Sequence, residues 1–112
     1  MPDPTPSPVL FLCRDLMFVG RVTATARALN IPLTTIRDPA KLPAEGTKLI
    51  VDLNLEGALA AGGAWKATTG GSLVGFVQHV DTAAIQAAKE AGYDQVMPRS
   101  RFVVELEKLL GD

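Results

Sequence analysis

The sequence predicts an α/β domain in which a five-stranded parallel sheet is covered by helices on both faces. Three observations predict it. Short apolar runs ended by polar residues recur at 9–13, 49–53 and 73–77, the pattern of strands buried on both faces. Between them lie stretches with helical spacing or a capping residue, and strands alternating with helices imply parallel pairing and right-handed crossovers. The chain has 112 residues, 47% of them hydrophobic and 21% charged, which suits one globular domain with its own core.

The elements follow in order. Residues 1–8 have proline at every second position from Pro2 to Pro8 and are expected to form a flexible lead-in. The single domain then occupies 9–112. The first strand, 9–13, stops at Arg14-Asp15. Asp15 is placed to cap a helix running to about Leu29, with Val19, Val22, Ala26 and Leu29 at helical spacing and Asn30 closing it. The β-branched run 33–36 reads as the second strand. Asp38-Pro39 opens a helix that Pro43 stops within a turn or two. The third strand spans 49–53. An Ala-rich helix over 56–66 follows, weakened by Gly57, Gly62 and Gly63. Gly70-Gly71 turns into the fourth strand, 73–77. Asp81 caps a helix over 82–91 that Gly92 ends. A short strand at 95–97 precedes a last helix, capped by Ser100 and running to Leu110.

Composition excludes several classes of function. Eleven basic and twelve acidic residues give a net charge of −1 with no long single-sign run, which argues against nucleic-acid binding through bulk charge. With Cys13 the only cysteine and His79 the only histidine, neither a disulfide nor Cys/His zinc spacing is available. The start lacks a secretory pattern, and no apolar stretch is long enough to span a bilayer. The expected location is the cytoplasm, with no membrane partner. A hydrolytic or redox enzyme finds no Ser-His-Asp order, no oriented Cys-His pair and no cofactor fingerprint, so no catalytic residue is assigned.

In a parallel α/β sheet, ligands meet the carboxyl ends of the strands near the switch in strand order. Those ends bring Cys13, Arg14 and Asp15, then Asp52 and Asn54, then Val77, Gln78 and His79, and finally Arg99 into one candidate site. From these residues a resemblance follows. The run Leu49-Ile50-Val51-Asp52-Leu53 looks like the strand of a receiver domain that ends in its phosphoacceptor aspartate. Val74-Gly75-Phe76-Val77-Gln78-His79-Val80-Asp81 resembles the fourth receiver strand and the start of the helix after it. Ala87-Ala88-Lys89-Glu90-Ala91-Gly92-Tyr93-Asp94 resembles the end of that helix and the Ala-Gly-Ala-Asp turn. The chain from about Val9 to Leu110 thus resembles the CheY-like receivers of bacterial response regulators. The resemblance implies a flavodoxin-like three-layer sandwich in strand order 2-1-3-4-5, here with a very short second helix. It also implies a place in two-component signalling or a phosphorelay.

Carried over, the resemblance makes Asp52 the candidate phosphoacceptor and puts Asn54 where a backbone carbonyl helps hold magnesium. The remaining positions depart from the family. Cys13 and Arg14 stand where receivers have paired acids, Val77 replaces the switch Ser/Thr, and Arg99 replaces the Lys. An aspartyl phosphate needs a carboxylate nucleophile and a cation to screen the phosphoryl oxygens, held by oxygen ligands. If magnesium binds, Asp15 and Asp52 would hold it, but Arg14 disfavours it and could pair with Asp52 in the cation's place. Val77 has no hydroxyl to sense a phosphoryl group, and Arg99 differs from Lys in shape and hydration. No cofactor is therefore expected.

Bland readings accompany the sharp ones. Arg14 and Arg99 can be ion-pair partners of Asp15 or Asp52, Cys13 a small buried hydrophobe, and His79 a loop-ordering hydrogen-bond partner. The leading expectation is a stand-alone, atypical receiver-like module, a pseudo-receiver, that acts by protein–protein contact. Phosphorylation at Asp52 is not favoured. Its partner would be a histidine kinase or another signalling protein. Self-association is the other route, through the receiver's fourth helix, fifth strand and fifth helix, a face including Ala84, Ala88, Arg101, Val104 and Lys108. With only two residues after Leu110, a signal is expected to leave through the domain surface. The alternative is a small anion- or nucleotide-binding protein using Arg14, His79 and Arg99.

Overall fold

Five strands form one parallel sheet: β1 (Val9–Leu12), β2 (Leu33–Ile36), β3 (Lys48–Asp52), β4 (Ser72–Val77) and β5 (Gln95–Pro98). Their spatial order is β2-β1-β3-β4-β5, as the resemblance implied. The computed structural model describes residues 8–111, so the expected flexible segment 1–8 lies outside the described residues apart from Pro8. Registers align Phe11 with Ile50 and Asp52 with Phe76. Apolar runs form these strands because both faces are covered. Successive side chains alternate between two cores, as a pleat of period two requires.

One core holds Phe11, Cys13, Ile50, Val74 and Phe76 from the sheet, under α1 (Leu16–Ala28), α4 (Arg99–Val104) and α5 (Leu106–Gly111). The other holds Leu10, Leu12, Leu49, Val51 and Leu73 beneath α2 (Ala58–Thr69) and α3 (Thr82–Ala91). In the first, the Phe76 and Phe102 rings stack at 4.2 Å between centroids, flanked by Phe11 and Phe18.

The caps act as the residue types require. Asp15 accepts the Met17 N–H at 2.9 Å and the Phe18 N–H at 3.5 Å. Asp81 accepts the Ala84 N–H at 2.8 Å. Asn30 closes α1 at φ 58° and Gly92 closes α3 at φ 98°, both left-handed. The second crossover shrinks to a 3-10 turn at Pro39–Lys41, capped by Asp38.

Three expectations are corrected. The Ala-rich helix begins at Ala58 rather than residue 56 and runs on to Thr69, because Gly57 at φ 83° takes a left-handed conformation that cannot lie inside a helix. Ser100 does not cap the last helix. Pro98 takes the N-cap position with an extended backbone, so the helix starts at Arg99, and it breaks at Glu105 into α4 and α5. The glycines at 62 and 63 serve close packing of α2 on α3 and on Tyr93: a Cβ at Gly62 would lie 2.2 Å from the Tyr93 Oη, and one at Gly63 would lie 2.6 Å from the Ala91 carbonyl oxygen. Gly63→Ala is therefore expected to lower stability by about 1–3 kcal/mol through overpacking, despite alanine's better helix propensity. Urea denaturation checks this, and a neutral or stabilising result would refute the packing explanation.

Candidate functional site

Asp52 ends β3 with its side chain only 5% exposed, the one buried charged residue among those described. A carboxylate in such a place needs hydrogen-bond partners. Oδ1 accepts two bonds at 3.0 Å, from the Asn54 backbone N–H and from Asn54 Nδ2, a local turn that Asx side chains favour. Oδ2 faces the Cys13 Sγ at 3.5 Å, where the thiol donates. Asn54 Oδ1 in turn accepts the Gln78 N–H at 3.3 Å. The loops after β1, β3 and β4 are thereby tied around Asp52.

Strand parity explains which residue after β1 reaches it. Phe11 and Cys13 point to the face of the sheet that also carries Ile50. Asp52 shares Ile50's parity, so Cys13 and Asp52 meet. Arg14, one residue on, turns to the opposite side. It is exposed and lines a cleft of about 600 Å³ with Arg37, Asp38, Pro39, Leu55 and Glu56. The expected Arg14–Asp52 pair does not form; Arg14 makes no ion pair among the described residues.

Arg99 is committed elsewhere. Its Nη2 pairs with Asp15 Oδ2 at 3.0 Å, while its guanidinium carbon lies 4.4 Å from the Phe18 ring centroid, a cation–π arrangement. Asp15 thus spends Oδ1 on the α1 cap and Oδ2 on Arg99. Cys13 is fully buried, and burial pushes its thiol up to about 12, with the neighbouring Asp52 charge adding to the shift. A group held protonated in this way is a poor metal ligand. Among the described residues no three His, Cys, Asp or Glu side chains converge as metal ligands. The donor set around Asp52 therefore does not fit the magnesium that the resemblance implies.

Val77 is half-buried at the end of β4, and Gln78 and His79 are exposed in the loop beyond it. The backbone of Gln78, rather than His79, makes the loop-ordering bond. The anion site expected from Arg14, His79 and Arg99 is not assembled, since Arg14 faces the β2 side and Arg99 is paired with Asp15. On the expected interaction face, Ala88 is fully buried in the α2–α3 core, whereas Arg101, Val104 and Lys108 are exposed. Sequence reasoning missed Phe18, whose signal was its place three residues after the Asp15 cap. It also missed the Arg37–Asp38 rim of the cleft.

The sheet order and the two helical layers define the receiver-domain fold. Solved structures carry the same fold. The Mn2+-bound response regulator Rcp1 is 16% identical with a TM-score of 0.70, covering 94% of this chain and 89% of its own. The receiver domain of the response regulator NarL from Mycobacterium tuberculosis is 16% identical with a TM-score of 0.69, covering 94% and 93%. The orphan response regulator HP1043 of H. pylori is 11% identical with a TM-score of 0.67, covering 96% and 99%. No family model matches the chain, and no curated protein matches it. No helix among the described residues is long and apolar enough to cross a membrane.

Proposed function

We propose that this chain is a receiver-fold signalling module that works by binding a protein partner, independently of phosphorylation at Asp52. The observation that carries the proposal is the engagement of both Asp52 oxygens. Asn54 holds one through two bonds, and the other faces a thiol rather than a second acid. Phosphoryl transfer to Oδ2, the oxygen that Asn54 leaves free, would displace the Cys13 thiol, and it would proceed without a cluster of oxygen ligands to screen the incoming charge. The Arg99–Asp15 pair supports the same reading, because it removes both residues from service at Asp52. The module is a binding protein rather than an enzyme, and it acts in the cytoplasm on a histidine kinase or another signalling protein.

Incubation with acetyl phosphate and magnesium, followed by intact mass spectrometry, tests this. The expected result is no phosphoryl adduct, with Asp52→Asn indistinguishable from the parent. An adduct present in the parent and missing from Asp52→Asn would overturn the proposal.

A further inference from the structure

Two guanidinium groups share one cleft, and among the described residues neither forms an ion pair. Arg14 follows β1 and Arg37 follows β2. With Asp38, Pro39, Leu55 and Glu56 they line the cleft of about 600 Å³, a size usual for small-molecule sites. Both arginines are exposed. Carboxylates stand on the same rim but are not spent on them. Asp38 Oδ1 accepts the Ala40 N–H at 3.0 Å as the cap of the 3-10 turn, and Glu56 is exposed.

Position in the sheet points the same way. The chain leaves β1 for β2 on one side, while β3 lies on the other side of β1. Strand order therefore reverses between β1 and β3, the place where open α/β sheets receive ligands. Arg14, Arg37 and Leu55 follow the carboxyl ends of these three strands, so the cleft straddles that point. The start of α2 adjoins it as well. Its N-cap, Gly57, offers no side chain to the first amides, and a Cβ at Gly57 would lie 3.9 Å from Pro39 Cγ in the cleft wall. Uncapped amides there add positive potential beside the two arginines.

We propose that this cleft binds a small phosphomonoester bearing free hydroxyls, its phosphate held between Arg14 and Arg37 and a hydroxyl donated to Asp38 or Glu56. A phosphomonoester carries about −1.5 to −2 charges at neutral pH, and its oxygens suit two planar guanidinium forks. A single carboxylate would leave one arginine unmatched. Ionised Asp38 and Glu56 only accept hydrogen bonds, so they favour hydroxyls and repel further anionic groups. The rim thus selects one phosphate over a di- or triphosphate. A nucleoside monophosphate and a free sugar phosphate both offer this chemistry, and only the first has a base to lie on Pro39 and Leu55. The cleft stands apart from Asp52: none of its side chains bonds to that carboxylate, so occupancy here does not depend on whether Asp52 is phosphorylated.

The test is calorimetric titration of the full chain, without magnesium, using AMP, ribose 5-phosphate, inorganic phosphate, adenosine and ATP. At least one of the two monoesters is expected to bind saturably, with adenosine at least about 10-fold weaker for want of the charge-assisted bonds. Tighter binding of AMP than of ribose 5-phosphate identifies a nucleotide as the source, and equal or weaker binding a sugar phosphate. Arg14→Gln and Arg37→Gln should each weaken the bound monoester at least about 10-fold. Both should leave the Tm unchanged, because the side chains are exposed and unpaired. Lys89→Gln, an exposed site on α3, should bind as the parent does. Absence of saturable binding, or full binding in either arginine variant, would overturn the proposal. So would ATP or inorganic phosphate binding as tightly as the monoester.

Discussion

Phe76→Ala is expected to cost about 3–5 kcal/mol, the range for removing a buried aromatic ring. Phe76 is fully buried at the centre of the aromatic cluster, stacked on Phe102 at 4.2 Å and 5.5 Å from Phe18. Neighbouring rings held by separate elements cannot collapse fully into the space, so the cavity adds to the lost transfer energy. The loss is a large part of the roughly 5–15 kcal/mol that holds a domain folded. It reaches the site as well. Phe76 is the register partner of Asp52, its carbonyl accepts the Leu53 N–H, and Phe18 carries the Arg99 guanidinium. Urea denaturation should show a lower midpoint with little change in slope, and Phe76→Leu should recover much of the loss. A cost under about 1 kcal/mol would mean that the cluster is not the core's centre.

The second large effect is protection of Cys13 from alkylation. Its thiol is raised from 9.0 to about 12 by burial, reinforced by the Asp52 charge. The difference of three corresponds to a thiolate population lower on the order of a thousand-fold at pH 8, and thiolate is the reactive species. Iodoacetamide should therefore modify native protein at least about 100-fold more slowly than urea-unfolded protein. Because the folded pKa is raised, the linked stability is full below pH 9 and declines as the pH rises from there towards 12. Asp52→Asn removes one contribution to the shift and should speed native alkylation, with burial still holding it below the unfolded rate. Equal rates in native and unfolded protein would show that Cys13 is not enclosed against Asp52.

Much of the fold was legible in the sequence. Apolar runs ended by charge located the strands because a parallel sheet buries both faces. Asp15, Asp38 and Asp81 announced helix or turn starts because their short carboxylates satisfy the first free amides. Helix ends were less legible. Gly62 and Gly63 look like weak helix residues until the approach of Ala91 and Tyr93 is known. Pro98 looks like a strand terminator until the backbone turns into α4 beneath it.

The site divides in the same way. The sequence by itself determined that a carboxylate stands at the carboxyl end of a central strand, and that the residues after the other strands would gather near it. The resemblance, not the residues by themselves, implied that they depart from a receiver's acids, switch hydroxyl and lysine. Only the tertiary structure decided the partners. Cys13 rather than Arg14 meets Asp52 because the pleat sends adjacent side chains to opposite faces. Arg99 meets Asp15 because α1 and α4 pack on the same face of the sheet, which brings together residues 84 positions apart. Pairing across that span depends on where the helices come to rest against the core, and local sequence carries no record of that distance.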